Sequence, residues 1–526
     1  MIRETAPADV RLDLITGREI ALIDLREEDA YAKDHPLFAA NLPLSRLELE
    51  VFDRIPRRDT KVVIYDSGEG LVPAAAARLK ALGYTDVSAL ADGLLGWRLA
   101  KYELFQDVNS ASKAFGELVE ARRHTPSVPA PDAKTLIESE PNLVVLDARR
   151  FEEFHTMSIP RGVSVPGAEL VLRARALAPD PSTTIIVNCA GRTRSIIGAQ
   201  SLINAGVPNR VLALRNGTIG WTLAGQPLEH GQTERYVDVL PAREAEARAA
   251  AREVSYRAGV RHIDGRALDV LGRDAARTLY RFDVRTPEEY AAGHIKGFRS
   301  APGGQLVQEA DVFAPVRGAR IVLADDRGAR ADMSASWLAQ MGWEVYVLDG
   351  GFEGPLELGP GKPALPALPA VSAISPADLH LRWSSDAAVI IDLAPSPAHR
   401  RAHLPGAWFA VRSRLAAALA EIKPHPSQAI VLTSPDGVLA TFAAREIEAL
   451  TGRAPLVLEG GTAAWVKSGL PVESGLPLPA SEPDDVYRRP YEGTDNAVSA
   501  MQAYLDWEFG LVEQLRRDGT HGFYVI

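Results

Sequence analysis

The sequence has a single cysteine, Cys189, among its 526 residues. One cysteine excludes an internal disulfide and fits a reducing compartment. Long apolar runs are also missing, since none approaches the ~18 residues that a transmembrane helix requires. Residues 1–5 lack the apolar core of a signal peptide. These absences together predict a cytoplasmic protein without a membrane partner.

Positive charge is scarce as well. The chain has 58 Lys and Arg against 68 Asp and Glu, which gives a net charge of −10. No basic face offsets this acidic excess, so nucleic acid is not expected as a partner. His155, His294 and His403 show no metal-ligand spacing, and neither a metal nor another cofactor is expected. The composition, 46% hydrophobic and 24% charged, is instead typical of several folded domains.

An internal repeat organises most of the chain. A strand that ends in aspartate is followed, 42 residues later, by a second strand end. The four pairs are Asp24 and Asp66, Asp147 and Cys189, Asp283 and Asp325, and Asp392 and Ser434. Apolar strands alternate with helical segments in every copy, which predicts an α/β fold: four tandem domains, each a small parallel sheet flanked by helices.

The copies are expected at residues 1–104, 128–229, 258–358 and 372–475, with a tail at 476–526. Three different connectors join them. A helix is predicted over 111–123, an exposed charged helix within 230–258, and an extended Pro-rich spacer at 359–372.

The tail is not a fifth copy, but its residues 496–517 have helical periodicity. Trp507, Phe509 and Leu511 are the expected docking residues of this helix. We expect it to pack on the third and fourth copies or to join two chains.

Cys189 opens a loop between a predicted strand and a predicted helix. The loop reads Cys189-Ala190-Gly191-Arg192-Thr193-Arg194-Ser195. A free thiol has a pKa of about 8.5, and backbone N–H groups, the helix N-terminus and two arginines should all favour the thiolate. A lone cysteine is more often a buried apolar residue, but this position at a strand end favours a nucleophile.

Three segments together resemble the rhodanese family. The stretch 283–297 (DVRTPEEYAAGHIKG) resembles its opening motif, the Cys189 loop its active-site loop, and residues 459–465 (EGGTAAW) its closing motif. The resemblance covers about residues 8–475 and implies a four-domain sulfurtransferase that carries a sulfane sulfur as a cysteine persulfide. Domain 2 is then catalytic. Domains 1, 3 and 4, with Asp66, Asp325 and Ser434 at the nucleophile position, are expected to be inactive.

Roles for individual residues follow from the loop and from this resemblance. Cys189 is the predicted nucleophile, and the predicted substrate-binding residues are Ala190, Gly191, Arg192, Thr193, Arg194 and Ser195. Arg194 has two open roles, binding the donor's anionic group or clamping the loop. Asp147 and Arg149 recur in copies without cysteine, which predicts a supporting ion pair.

The expected partners are small sulfur compounds. The donor is thiosulfate or 3-mercaptopyruvate, and the acceptor is cyanide, a thiol or a protein cysteine. The acceptor must come from outside because the chain has no second cysteine. The oligomeric state is not predicted.

Two other readings stay open. Cysteine phosphatases and arsenate reductases share this type of fold, but phosphatases need five residues between Cys and Arg, whereas Arg194 follows Cys189 after four. The shorter loop fits a single sulfur atom better. The second alternative is a binding scaffold or persulfide carrier with little free turnover. Domain 1 is expected to pack on domain 2, as in two-domain rhodaneses.

Overall fold

The computed structural model describes residues 2–526. Its four sheets share one strand order: first, fifth, fourth, second, third, all parallel. The central strands are short apolar runs such as Val62–Tyr65 and Thr184–Asn188, and every residue of these two is buried. Burial on both faces is what a parallel sheet covered by helices requires. The predicted α/β architecture of four tandem domains is therefore confirmed.

The elements of domain 1 and of the connector that follows it are β1 (Glu4–Thr5), α1 (Pro7–Thr16), β2 (Ile20–Asp24), α2 (Glu28–Lys33), β3 (Ala40–Asn41), α3 (Leu47–Arg54), β4 (Val62–Tyr65), α4 (Val72–Ala81), β5 (Val87–Leu90), α5 (Gly93–Leu99) and α6 (Ser110–Arg123). The elements of domain 2 and its connector are β6 (Ser127–Val128), α7 (Ala130–Ser139), β7 (Leu143–Asp147), α8 (Phe151–Thr156), β8 (Gly162–Ser164), α9 (Leu170–Leu177), β9 (Thr184–Asn188), α10 (Thr193–Asn204), β10 (Val211–Leu214), α11 (Gly217–Leu223) and α12 (Pro241–Arg257).

The elements of domain 3 are β11 (Arg261–Ile263), α13 (Gly265–Arg273), β12 (Leu279–Asp283), α14 (Pro287–Ala292), β13 (Arg299–Ser300), α15 (Gly303–Gln308), α16 (Ala310–Phe313), β14 (Val316–Arg317), β15 (Arg320–Ala324), α17 (Ala329–Gln340) and β16 (Glu344–Leu348). Those of domain 4 and the tail are β17 (Ser372–Ile374), α18 (Pro376–Ser384), β18 (Ala388–Asp392), α19 (Ser396–Arg401), β19 (Trp408–Phe409), α20 (Leu415–Ile422), β20 (Ala429–Thr433), α21 (Val438–Thr451), β21 (Leu456–Leu458), α22 (Gly461–Lys467), α23 (Val498–Phe509) and α24 (Leu511–Asp518). Short 3₁₀ turns span Leu44–Arg46, Gly167–Glu169 and Arg412–Arg414.

The domains pair differently from the expected packing of domain 1 on domain 2. Domains 2 and 3 meet through Gly167 and Gly304, where a Cβ on Gly304 would lie 3.2 Å from the Gly167 nitrogen, and Arg330 of domain 3 donates to Glu169 of domain 2 at 2.8 Å. Domain 4 meets domain 1 through the equivalent turn, where Arg412 holds Glu48. Strand β14 then adds antiparallel to β2 and so ties domain 3 to domain 1.

The connectors are only partly as predicted. Helix α6 agrees with the helix expected over 111–123, and no helix or strand lies between Leu348 and Ser372, as expected of a spacer. Helix α12 is not simply exposed. Its Ala247, Ala251 and Val254 are buried in the core that joins domains 2 and 3, because alanines at helical spacing let neighbouring helices approach closely.

The two helices of the C-terminal tail dock on different domains. Helix α24 buries Leu511 and Leu515 in a core shared by domains 1 and 3, while α23 places Met501 and Tyr504 on Ala190 of the Cys189 loop. Helix α23 therefore covers domain 2, which was not expected. Contacts with domains 3 and 4 are also present, because the N–H of Tyr524 donates to the Gln340 carbonyl at 3.0 Å and Ser481 accepts from the N–H of Val411 at 3.1 Å. Across residues 2–526 no helix combines the length and apolar character needed to cross a bilayer.

Candidate active site

Cys189 follows the last residue of β9 directly, and its loop leads into α10. Two contacts fix the loop from the side of α11: the N–H of Thr218 donates to the Cys189 carbonyl at 2.9 Å, and that of Ile219 donates to the Ala190 carbonyl at 3.0 Å. Gly217 has a φ of +53°, and a Cβ there would lie 2.3 Å from the Cys189 carbonyl oxygen. Only glycine allows this approach, and Gly93 and Gly461 lie in the same way against the carbonyls of Asp66 and Ser434 in domains 1 and 4.

The nucleophile positions of domains 1 and 3 share one cradle of backbone N–H groups. In domain 3 the Asp325 carboxylate accepts from the N–H groups of Arg327, Arg330 and Ala331, two, five and six residues further on. In domain 1 Asp66 accepts from the residues at the same three offsets. Such converging N–H groups bind anions. In domains 1 and 3 an aspartate of the chain itself fills the cradle.

Domain 2 presents sulfur to this cradle. Ser195, six residues after Cys189, lowers the pKa of the thiol, while its hydroxyl donates to the Arg192 carbonyl at 2.8 Å. In domain 4 the Oγ of Ser434 accepts from Ala440 at 3.3 Å, again six residues further on. The position that a carboxylate fills in domains 1 and 3 is therefore held by a sulfur atom in domain 2.

The Asp147–Arg149 ion pair supports the loop from below. Arg149 donates to both carboxylate oxygens at 2.9 and 2.7 Å and also to the Met157 carbonyl, and Asn188 donates to Asp147 at 2.7 Å. All of these side chains are buried. The pair recurs as Asp24 with Arg26 and as Asp283 with Arg285. Asp147 and Arg149 thus lie where support of the strand end was predicted, without facing a free substrate space.

Arg192 points away from open solvent and into acidic residues of α6. It donates to Glu117 at 2.7 and 2.8 Å and also contacts Glu120. Its Nη1 donates to Oδ1 of Asn216 at 3.0 Å. The ring of Phe509 from the tail lies 4.2 Å from its guanidinium carbon. These contacts tie α6, the loop and the tail together. Donor binding by Arg192 stays a prediction, and it requires the arginine to leave these partners.

Arg194 forms a two-point ion pair with Glu153 of α8, with both N···O distances at 2.8 Å. Burial opposes ionisation of Glu153, yet the neighbouring Arg194 holds the pKa of that carboxyl well below its usual range. The same pair occurs in domain 3, where Arg330 contacts Glu289 at 2.6 Å. Because domain 3 has no cysteine, this recurrence favours the clamping role for Arg194. Glu153 was missed by sequence reasoning, although Glu289 stands at the same offset.

The C-terminal helix α23 covers the loop. Cys189 is only 1% exposed. A Cβ added at Gly191 would lie 3.1 Å from the Tyr504 ring and 3.4 Å from Oε2 of Glu508. Thr193 is half-buried, and Gly116 of α6 packs against its methyl group. The covering residues are Tyr491, Met501, Tyr504, Leu505, Glu508 and Phe509. We call residues 488–510 the cap.

This cover changes the expected electrostatics. Burial raises the pKa of the Cys189 thiol, and the charge of Glu508 adds to that rise, whereas Arg194 and Ser195 lower it. Arg194 and Ser195 thus act in the predicted direction, but burial under the cap outweighs them in the covered state. The docking of the tail on domain 2 could not be predicted from the sequence. Its apolar periodicity predicts that one face of the helix is buried, but not which domain this face contacts.

Comparison with known proteins agrees with this geometry. The model of the rhodanese-like domain matches residues 7–100, 130–224, 271–356 and 375–468. The chain belongs to the rhodanese family. These matches lie inside the four expected domains, so it is a tandem, four-domain member of this sulfurtransferase family.

One relative resembles the whole chain. The crystal structure of a thiosulfate sulfurtransferase from Pseudomonas aeruginosa is 57% identical, covers 100% of both chains and superposes with a TM-score of 0.98. The thiosulfate sulfurtransferase GlpE of Ectopseudomonas mendocina is 37% identical over 75 residues, 14% of this chain. That match spans 64% of the curated relative's length.

Proposed function

We propose that this protein is a cytoplasmic thiosulfate sulfurtransferase that works through a persulfide on Cys189. The observation that carries the proposal is the shared cradle. Two domains fill it with a carboxylate, so the same N–H groups in domain 2 suit an anionic sulfur. A thiolate and a persulfide both meet that description, and the names of the relatives support thiosulfate as the donor.

The first step forms the persulfide. The Cys189 thiolate attacks the outer sulfur of thiosulfate, the S–S bond of the donor breaks, and sulfite leaves with the bonding electron pair. The terminal sulfur of the resulting Cys–S–S⁻ then takes the place that the Asp325 carboxylate has in domain 3. Backbone N–H donors arranged as those around Asp325 would stabilise this charge without reorganisation.

The second step regenerates the enzyme. A thiophilic acceptor, such as cyanide or a thiolate, attacks the terminal sulfur, and Cys189 leaves as thiolate. The acceptor comes from outside because the chain has no other cysteine. The cycle is therefore of the ping-pong type. 3-Mercaptopyruvate and protein persulfides are alternative donors for the same chemistry.

Steady-state formation of thiocyanate from thiosulfate and cyanide tests the proposal. We expect Cys189→Ser to abolish turnover, since a serine hydroxyl without a neighbouring base is a poor nucleophile. Ser434→Ala is the matched control, because it changes the equivalent position of domain 4 and should leave turnover intact. Undiminished turnover in Cys189→Ser would refute the proposed function.

A further inference from the structure

Glu508 is the one carboxyl group that the cap presents to the Cys189 loop. Its side chain is fully buried, and its Oε2 lies 3.4 Å from the place of a Cβ at Gly191. Its other oxygen, Oε1, accepts a hydrogen bond from the Tyr504 hydroxyl at 2.8 Å. Oε2 has no hydrogen-bond partner within residues 2–526. A buried carboxylate oxygen without a partner is costly, so this atom requires an explanation.

The neighbouring charges do not neutralise Glu508. The titratable or charged groups that face it are Lys113 and Glu117 of α6, Arg192 and Cys189 of the loop, and Tyr504 of its own helix. Both cations already have other carboxylate partners: Lys113 contacts Asp107 at 2.9 Å, and Arg192 holds Glu117. Burial, with Glu117 as the next contributor, raises the pKa of Glu508 to about 8.

We propose that Glu508 is a further residue of the Cys189 site: a carboxylic acid kept protonated beside the loop, so that no fixed negative charge opposes an anionic sulfur on Cys189. The inference rests on the proposed function and deepens it. The proton belongs on Oε2, since Oε1 already accepts from Tyr504. An O–H at Oε2 turns the unpartnered acceptor into a donor that faces the loop. Glu508 acts through Cys189 and is a positioning residue.

The proposal has a definite consequence for the donor. A neutral Glu508 tolerates both the doubly charged thiosulfate and the persulfide. An ionised Glu508 repels them and disfavours the Cys189 thiolate. In the wild type, ionisation of Glu508 should therefore lower kcat/KM for thiosulfate as the pH rises through about 8, the pKa of Glu508. With a permanently neutral side chain at position 508, this loss should be absent.

The test compares Glu508→Gln with the wild type in kcat/KM for thiosulfate between pH 6 and 10. The ratio of variant to wild type should be smallest at low pH and increase through pH 8. We expect an increase on the order of tenfold, which a change of one pKa unit in the thiol would give. Ionisation of the acceptor affects both proteins alike and cancels in the ratio. A ratio that is flat or falls with pH overturns the proposal.

A second measurement does not depend on any donor. The pH profile of Cys189 alkylation by iodoacetamide gives the thiol pKa directly, and Glu508→Gln should lower it. This readout separates the two failures: absence of persulfide in every protein refutes the proposed function, whereas an unchanged thiol pKa refutes the role of Glu508.

Two further variants complete the design. Tyr504→Phe removes the donor to Oε1, which should keep Glu508 protonated to higher pH and move the activity change upward. Glu513→Gln is the control, because Glu513 lies on α24, is exposed and pairs with Arg516. Its profile should follow the wild type.

Discussion

The loops of domains 2 and 3 start from the same backbone and differ in what fills the cradle. Asp325 accepts three backbone N–H groups and the Nε of Arg330, and Arg330 is fully buried among Asp325, Asp326, Glu289 and Glu169. In domain 2 the equivalent Arg194 keeps only its glutamate, Glu153, and the cradle faces Cys189. A loop closed by its own carboxylate is a structural element. The same loop with a thiol can hold a sulfur anion.

Cys189→Asp makes domain 2 into a copy of domain 3 and should have the largest effect. The new carboxylate would take the N–H groups of the cradle, so turnover should disappear while the fold is kept. Thiocyanate formation measures the turnover, and thermal unfolding shows whether the fold is kept. Persulfide formation in this variant would show that the cradle is not the site of the transferred sulfur.

The reverse change, Asp325→Cys, tests whether a thiol in this cradle is sufficient. We expect no second active site, because the loop is enclosed at the interface with domain 2, where Arg330 reaches Glu169. Removing one partner of a buried ion pair costs roughly 3–5 kcal/mol, so the free energy of unfolding should fall. The mass after thiosulfate should still increase by one sulfur atom, and an increase by two would contradict this account.

Arg194→Ala should impair the loop more mildly. It removes the cation that lowers the pKa of Cys189 and leaves Glu153 buried without its partner. The thiol pKa should rise further, so that less thiolate exists at neutral pH, with activity lower by about tenfold for each pKa unit. The pH profile of alkylation measures this shift. An unchanged profile would mean that Arg194 serves packing alone.

Phe509→Ala should have the smallest effect and acts on the cap. Phe509 is 55% exposed and contacts the loop mainly through the Arg192 guanidinium. A cation–π contact between the buried Arg192 guanidinium and this half-exposed ring is worth about 1 kcal/mol, so its loss should increase Cys189 alkylation only a few-fold. Val498→Ala changes an exposed apolar residue of the same helix and is the control. Slower alkylation in Phe509→Ala would contradict the closing role of the cap.

Local features of domain 2 were accessible from the sequence because they repeat. The Asp147–Arg149 pair, the strand that ends before Cys189 and the glycine that lies against its carbonyl all have counterparts in other copies. Comparison of the copies could also have identified Glu153, because Glu289 lies at the same distance after the strand-end aspartate of domain 3. Each of these contacts lies within one domain.

The contacts that cover the Cys189 loop come from α6 and from the tail, which lie outside the repeat. No repeated pattern in the sequence predicts them. Glu117 and Glu120 stand three residues apart on α6, a spacing that shows a shared helix face but not that Arg192 is its partner. The tail's Tyr504 and Glu508 reach Cys189 across more than 300 residues of chain. The contact of Gly304 with Gly167 between domains 2 and 3 is likewise visible only where the two backbones meet.

The most direct measurement is the intact mass of the protein after incubation with excess thiosulfate, repeated after addition of cyanide. The account predicts a gain of one sulfur atom on the wild type, its removal by cyanide, and no gain on Cys189→Ser. A gain of sulfur on Cys189→Ser, or no gain on the wild type with thiosulfate, 3-mercaptopyruvate and a persulfide donor, would contradict it.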